Sequence, residues 1–128
     1  PNPSLVCQND NDKFTVDSKN GNGKLTNPVG LITLDEVVLA GFNTKYSNES
    51  DYKDTTNYLY TNGYYWTSSP VLLYDDGNAY VGLVNGDGDV RIGRVSNAFG
   101  VRPVVSLANG TLVNFNGDGT STNPYVVK

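Results

Sequence analysis

Histidine and methionine are absent from the 128 residues, cysteine occurs once, and only 17% of the residues are charged. Each shortage removes a class of chemistry. Without His there is no Ser-His-Asp or Cys-His nucleophile, no imidazole acid or base and no His-bearing zinc site. With Cys7 alone there is no internal disulfide, no CxxC motif and no thiolate cluster for metal or redox work. No basic residue precedes Lys13 to activate Cys7, so it is expected to sit buried as a small hydrophobe or to pair outside this chain. Lys and Arg number 9 against 13 Asp and Glu, giving a net charge of −4 and a pI near 4.5. That is the wrong sign for neutralising phosphates, so nucleic acid is not an expected partner. No apolar run approaches the roughly 18 residues of a membrane span, and no signal peptide or lipidation motif is visible. Pro1-Asn2-Pro3 opens the chain like a cut end or linker (residues 1–6), and the remainder has the length of one domain.

What the sequence does hold is turn chemistry. Asn (17 residues), Gly (14) and Tyr (9) are abundant, whereas Ala, Glu and Lys, the residues of long solvated helices, are few. Short strands joined by turns follow. Asn20-Gly21 and Asn22-Gly23 mark a reversal between short extended pieces at Phe14–Val16 and Lys24–Leu25. One helix is signalled clearly. Thr33-Leu34-Asp35-Glu36 is a capping box, Ile32 and Val37 form a hydrophobic staple around it, and Gly41 is the stop. A second short helix is expected around Asp51–Tyr60. Tyr64–Ser68 is β-prone, with Trp66 expected in the core and some of Tyr58, Tyr60, Tyr64 and Tyr74 exposed. Ala79–Val84, Asn85-Gly86-Asp87-Gly88 and Asp89–Val95 form the best hairpin signal. Gly100–Leu107 reads as a strand in which Pro103 must stand at an edge, a bulge or the beginning. Thr111–Phe115 and Pro124–Val127 complete the set. One helix among many short antiparallel strands is an α+β pattern.

Two acidic stretches invite chemistry. Asn85-Gly86-Asp87-Gly88-Asp89 has the alternating oxygens of a Ca2+ loop. An EF-hand register fails, because it puts Leu83 first and Arg94 twelfth where carboxylates are needed. The repeat of the same turn at Asn116-Gly117-Asp118-Gly119 favours plain turn building, so no cofactor is expected, with a Ca2+ site as the less favoured alternative. Asp75 and Asp76 can in principle form the carboxylate pair of a glycosidase, which needs a separation of about 5 or 6.5–9.5 Å. Adjacent loop aspartates more often face water, and an enzyme is disfavoured.

Tyr65-Trp66-Thr67-Ser68-Ser69-Pro70, Asn78-Ala79-Tyr80 and Gly100-Val101-Arg102-Pro103-Val104-Val105-Ser106-Leu107 together resemble a C-terminal module of bacterial surface proteins. That module is related to the C-type lectin-like fold of formylglycine-generating enzymes. Pro28–Val37 and the ending Gly117–Val127 fit it too, so the resemblance runs from about residue 7 to the end. It implies a single C-type lectin-like domain over residues 1–128, with a small twisted antiparallel sheet, one or two short helices and long loops. The enzymes of that fold use a cysteine pair, which this chain lacks. The Ca2+-dependent lectins carry Glu-Pro-Asn or Gln-Pro-Asp and Trp-Asn-Asp strings, none of which occurs here. The chain is also similar to the variable proteins of diversity-generating retroelements, whose variable segment corresponds to Pro70–Gly100.

The resemblance implies a non-catalytic binding or adhesion module at a bacterial or phage surface, hence extracellular, with a protein or carbohydrate ligand. Asp75, Asp76, Asn78, Tyr80, Asp87, Asp89, Arg91 and Arg94 are the candidate ligand contacts, combining adaptable polar groups, a Tyr and two guanidinium forks. Trp66, Arg102 and Val104 are assigned to the fold. The alternatives are a pilin-like structural subunit that self-associates through its N-terminal segment and a hypervariable display protein.

Overall fold

Thr33 starts the only α-helix among the described residues, which in this computed structural model are 2–42, 57–120 and 122–128. Helix α1 spans Leu34–Leu39, with Thr33 as its cap. The Thr33 hydroxyl accepts the Glu36 amide at 3.1 Å, and a Glu36 carboxylate oxygen accepts the Thr33 amide at 2.7 Å. The capping box thus satisfies two backbone donors that the first turn would otherwise leave unpaired. At the other end Gly41, at φ +99°, donates to the Val38 carbonyl, and Phe42 donates to the Val37 carbonyl. This is a Schellman closure, and it swings Phe42 back into the core beside Val37.

The strands are β1 (Val29–Leu31), β2 (Tyr65–Leu73), β3 (Ala79–Val84), β4 (Val90–Arg94), β5 (Pro103–Val105), β6 (Val113–Asn114) and β7 (Val126–Val127). They pair antiparallel as β2–β3–β4, β1–β5 and β6–β7. With one short helix and a 3-10 turn at Asp10–Asp12, the protein is α+β, as its sequence pattern predicts.

The β3–β4 hairpin stands where the alternating runs put it, and its register is regular from Tyr80↔Arg94 to Val84↔Val90. Strand β2 is less regular. Its pairing with β3 slips between Trp66 and Pro70 and again between Pro70 and Leu72. Pro70 has no amide to give a ladder, so the strand bulges around it. The slips bring Leu72 opposite Tyr80. Strand β5 is shorter than the Gly100–Leu107 run, with Pro103 as its first residue.

Period-two alternation divides the central sheet into two faces. Tyr65, Thr67, Gly82, Val84 and Val90 face α1. There Ile32, Val37, Phe42, Leu59, Tyr65, Val84 and Val90 form the core, with Leu34, Val38 and Val104 packed against it. Each fully buried apolar side chain of this kind contributes about 1.5–3 kcal/mol. A Cβ at Gly82 would run into the Leu34 side chain, so a glycine there lets α1 lie directly on the sheet. Ser69 Oγ on β2 ties the helix to the sheet by accepting the Leu34 amide at 2.9 Å, and within the sheet Thr67 Oγ1 donates to the Gly82 carbonyl at 2.8 Å.

Several expectations are corrected. The core aromatic is Tyr65, buried with its hydroxyl donating to the Leu59 carbonyl at 3.0 Å. Trp66 is one position out of phase, so it lies half-buried on the opposite face, 4.9 Å from Phe99. Burial pushes the Tyr65 phenol above its ordinary 10.0, outweighing the opposing pull of nearby Arg102, and keeps it a neutral donor. Arg102 holds the chain end leading into β2, donating to the Leu59 and Tyr58 carbonyls at 2.7 and 2.9 Å. Its structural assignment stands, as does that of Val104. Cys7 is exposed rather than buried, because the polar, turn-rich residues around it offer no core to enter. Phe14–Val16 and Lys24–Leu25 do approach each other, through Leu25 donating to the Thr15 carbonyl, but they form no ladder. Of the helix expected around Asp51–Tyr60, residues 51–56 lie outside the described residues and 57–60 form a turn closed by Tyr60 donating to the Asn57 carbonyl.

Candidate functional site

The eight candidate contacts separate into two groups at opposite ends of the central sheet. Strand β3 joins the two groups; the Tyr80↔Arg94 pair of one stands three residues along the ladder from the Leu83↔Arg91 pair of the other, a rise of about 10 Å at 3.3–3.4 Å per residue. Asp87 and Asp89 belong to the β3–β4 turn, and Arg91 follows it at the start of β4. Asp75, Asp76, Asn78, Tyr80 and Arg94 gather where β2 turns into β3 and β4 ends. The eight residues are near one another in the sequence, but antiparallel strands carry the two turns to opposite ends of the sheet.

At the β3–β4 turn the polar groups are spent on the turn itself. Asn85 is buried at 6% exposure, and its side-chain oxygen accepts the Asp87 and Asp89 amides, each at 2.9 Å. Its own amide donates to the Asp89 carbonyl, and Gly88 donates to the Asn85 carbonyl. Asp89 is equally buried, and its carboxylate receives Arg91 Nη2 at 2.9 Å. Asp87 faces water, and Arg91 is partly exposed. The Asn85 side-chain oxygen and one Asp89 oxygen are thus engaged by backbone amides and a guanidinium, and the Asp87 carboxylate is left at the surface. Among the described residues no three acidic or thiol groups are arranged to hold a metal.

At the β2–β3 turn the side chains are organised but available. The turn closes through Tyr74 donating to the Asn78 carbonyl and Gly77 donating to the Tyr74 carbonyl. Asp76 accepts the Asn78 amide at 3.0 Å and also the Asn78 side-chain amide. These bonds, the backbone one foremost, hold the Asp76 carboxyl below its ordinary 3.8. Tyr80 and Arg94 are direct cross-strand neighbours on one face, the spacing at which side chains of a ladder interact. Arg94 Nε donates to the Tyr80 hydroxyl at 2.8 Å, with the guanidinium carbon 5.8 Å from the ring centroid. Tyr74 meets Tyr80 edge to face, centroids 5.3 Å apart and planes at 83°. The result is a cluster of two tyrosines and an arginine at the β2–β3 turn and the end of β4, with Tyr74 53% exposed and Arg94 open to solvent. Asp75 and the two terminal nitrogens of Arg94 make no hydrogen bond or ion pair with any described residue.

Tyr74 is the functional candidate that sequence reasoning left out of the site. Its signal was its place, directly before Asp75 and six residues ahead of Tyr80, which a bulged β2 brings onto the same face. A second aromatic group occupies the other face of the sheet. There Tyr64 stacks on Phe99 at 5.1 Å and Phe99 meets Trp66, next to a shallow, mainly apolar hollow lined by Leu31, Trp66, Thr67, Val81 and Val95. Comparison with protein-family models, with curated proteins and with solved structures finds no match to this chain. The assignment therefore rests on geometry and residue chemistry.

Proposed function

We propose that the chain is a non-catalytic ligand-binding module on the C-type lectin-like plan, displayed at a cell or phage surface. The observation that carries this reading is the Tyr74–Tyr80–Arg94 cluster, an exposed group of aromatic and polar side chains pre-arranged on a hairpin. Rigid aromatics with adaptable polar neighbours give contact area at low entropy cost, which is what a recognition surface needs. Hydrogen bonds from Asn78 hold the Asp76 carboxyl below its ordinary 3.8, so at neutral pH it is an acceptor and not a general acid. No helix among the described residues is long and apolar enough to cross a membrane, in keeping with a displayed module. The test is adhesion of the labelled protein to bacterial and host-cell surfaces. The triple variant Y74A/Y80A/R94A is expected to lose most of the adhesion while keeping its circular dichroism; undiminished adhesion would contradict the reading.

A second reading, a self-associating structural subunit, is favoured by a different observation. Leu5, Val6, Phe14 and Val16 are all at least half exposed and rim a broad groove against Val29, Val101 and Pro103 beside the β1–β5 sheet. Light scattering across a concentration series separates the two, since a subunit would grow beyond the monomer.

A further inference from the structure

We infer that the β2–β3 end of the central sheet is a Ca2+-independent subsite for a neutral saccharide, with Tyr74 as its stacking platform. The inference rests on the binding-module reading and names the ligand class for that same surface. Three observations carry it.

The first is the aromatic geometry. In an edge-to-face pair one ring presents its edge to the other, so Tyr80 can cover at most one face of Tyr74. At least one Tyr74 face is left by Tyr80 for a flat, C–H-bearing surface such as the apolar side of a pyranose. Tyr80 in turn is tethered by Arg94, so the platform is fixed before the ligand arrives.

The second is the hydrogen-bonding inventory. A sugar hydroxyl both donates and accepts. At this end of the sheet stand the Asp75 carboxylate as an acceptor and the Asn78 side chain, whose amide nitrogen is engaged by Asp76, both in the turn, and the terminal nitrogens of Arg94 as donors at the end of β4. Charged partners make the stronger hydrogen bonds to hydroxyls. The Arg94 fork is aimed by its Nε bond and keeps its other donors for the ligand.

The third is the charge. Asp75, Asp76 and Arg94 sum to −1, which disfavours phosphates, sulfates and polyanions. The guanidinium in the same cluster disfavours simple cations. A ligand that is uncharged and rich in hydroxyls satisfies both signs at once. A peptide partner would seek an apolar pocket for an anchor side chain, and the apolar hollow of this sheet lies on its other face, by Trp66.

The experiment is saturation-transfer and chemical-shift NMR on the whole chain, in EDTA, with methyl β-galactopyranoside, methyl α-mannopyranoside, methyl β-glucopyranoside and N-acetylglucosamine as probes. Glucuronate and a lysine-rich peptide serve as charged comparators. The expected result is saturation transfer to at least one neutral sugar, with shifts confined to residues 74–80 and 94. Y74A should weaken that binding at least about 10-fold, and Arg94→Lys several-fold, because Lys lacks the planar fork. Y74F, which keeps the ring, should retain it. Binding of a sugar at the Trp66 face, binding that needs Ca2+, or no shift at residues 74–80 with any neutral sugar would each overturn the inference. If glucuronate or the peptide alone shifts these residues, the saccharide class is wrong and the binding-module reading survives. If every probe is silent and the triple variant also adheres normally, both fail.

Discussion

The two turns at the ends of β3 are built from nearly the same alphabet, Asp, Asn and Gly with an arginine nearby, yet they do opposite things. At the Asn85 end the side chains turn inward. Asn85 and Asp89 are 6% exposed, and their oxygens are committed to two amides and a guanidinium. At the Asn78 end Asp76 is bonded to Asn78 and Arg94 Nε to the Tyr80 hydroxyl, while Asp75, Tyr74 and the terminal nitrogens of Arg94 remain at the surface. What separates scaffold from display is how many of a residue's hydrogen bonds are used within the fold, and residue type alone says nothing about that.

Substitutions that treat the two ends alike should expose the difference. The largest effect is expected for Asn85→Ala, which leaves two turn amides, one of them inside the buried Asp89 segment, without an acceptor. Unpaired buried groups cost about 1–3 kcal/mol each, so a loss of about 2–3 kcal/mol is expected in denaturant unfolding. Next is Asp89→Ala, which strands a half-exposed Arg91. About 1–2 kcal/mol is expected, lower than for a fully buried pair because Arg91 reaches water and relaxes. At the other end Tyr74→Ala should change stability by no more than about 0.5 kcal/mol, the range of ordinary surface positions, while removing saccharide binding.

The smallest effect concerns pH. The Asp76 carboxyl titrates below 3.8 when folded, so the stability it lends is present above that value and lost as the pH falls through its folded pKa. Carboxyl NMR should give a midpoint below 3.8, moving back toward it in Asn78→Ala. A wild-type midpoint at or above 3.8 would mean that the Asp76–Asn78 lock does not persist in solution.

Local chemistry was legible in the sequence where it is self-contained. The Thr33–Glu36 capping box, the Gly41 stop and the β3–β4 hairpin depend on residues within a few positions of each other, and all are present. Phase was not legible. Nothing in Tyr65-Trp66 says which ring points at α1; that is settled by Thr67 reaching Gly82 and by Tyr65 reaching Leu59, two contacts made across the fold. Cys7 failed for a related reason, since a residue's usual preference for burial counts only where a core lies within reach. The site was half legible. Its residue types were recognised, but a hairpin of this length parts Asp87, Asp89 and Arg91 from the rest. Tyr74 entered only through the bulge at Pro70, whose position follows from pairing.

The most direct test of the division between the two ends is a paired measurement on Asn85→Ala and Tyr74→Ala, with thermal unfolding and neutral-saccharide titration on each. Asn85→Ala should lower the Tm by roughly 10 °C, at about 3–6 °C per kcal/mol for a domain of this size, and its folded fraction should bind as wild type does. Tyr74→Ala should keep its Tm and lose the binding. The opposite pattern, with affinity lost at Asn85 and stability lost at Tyr74, would contradict the account.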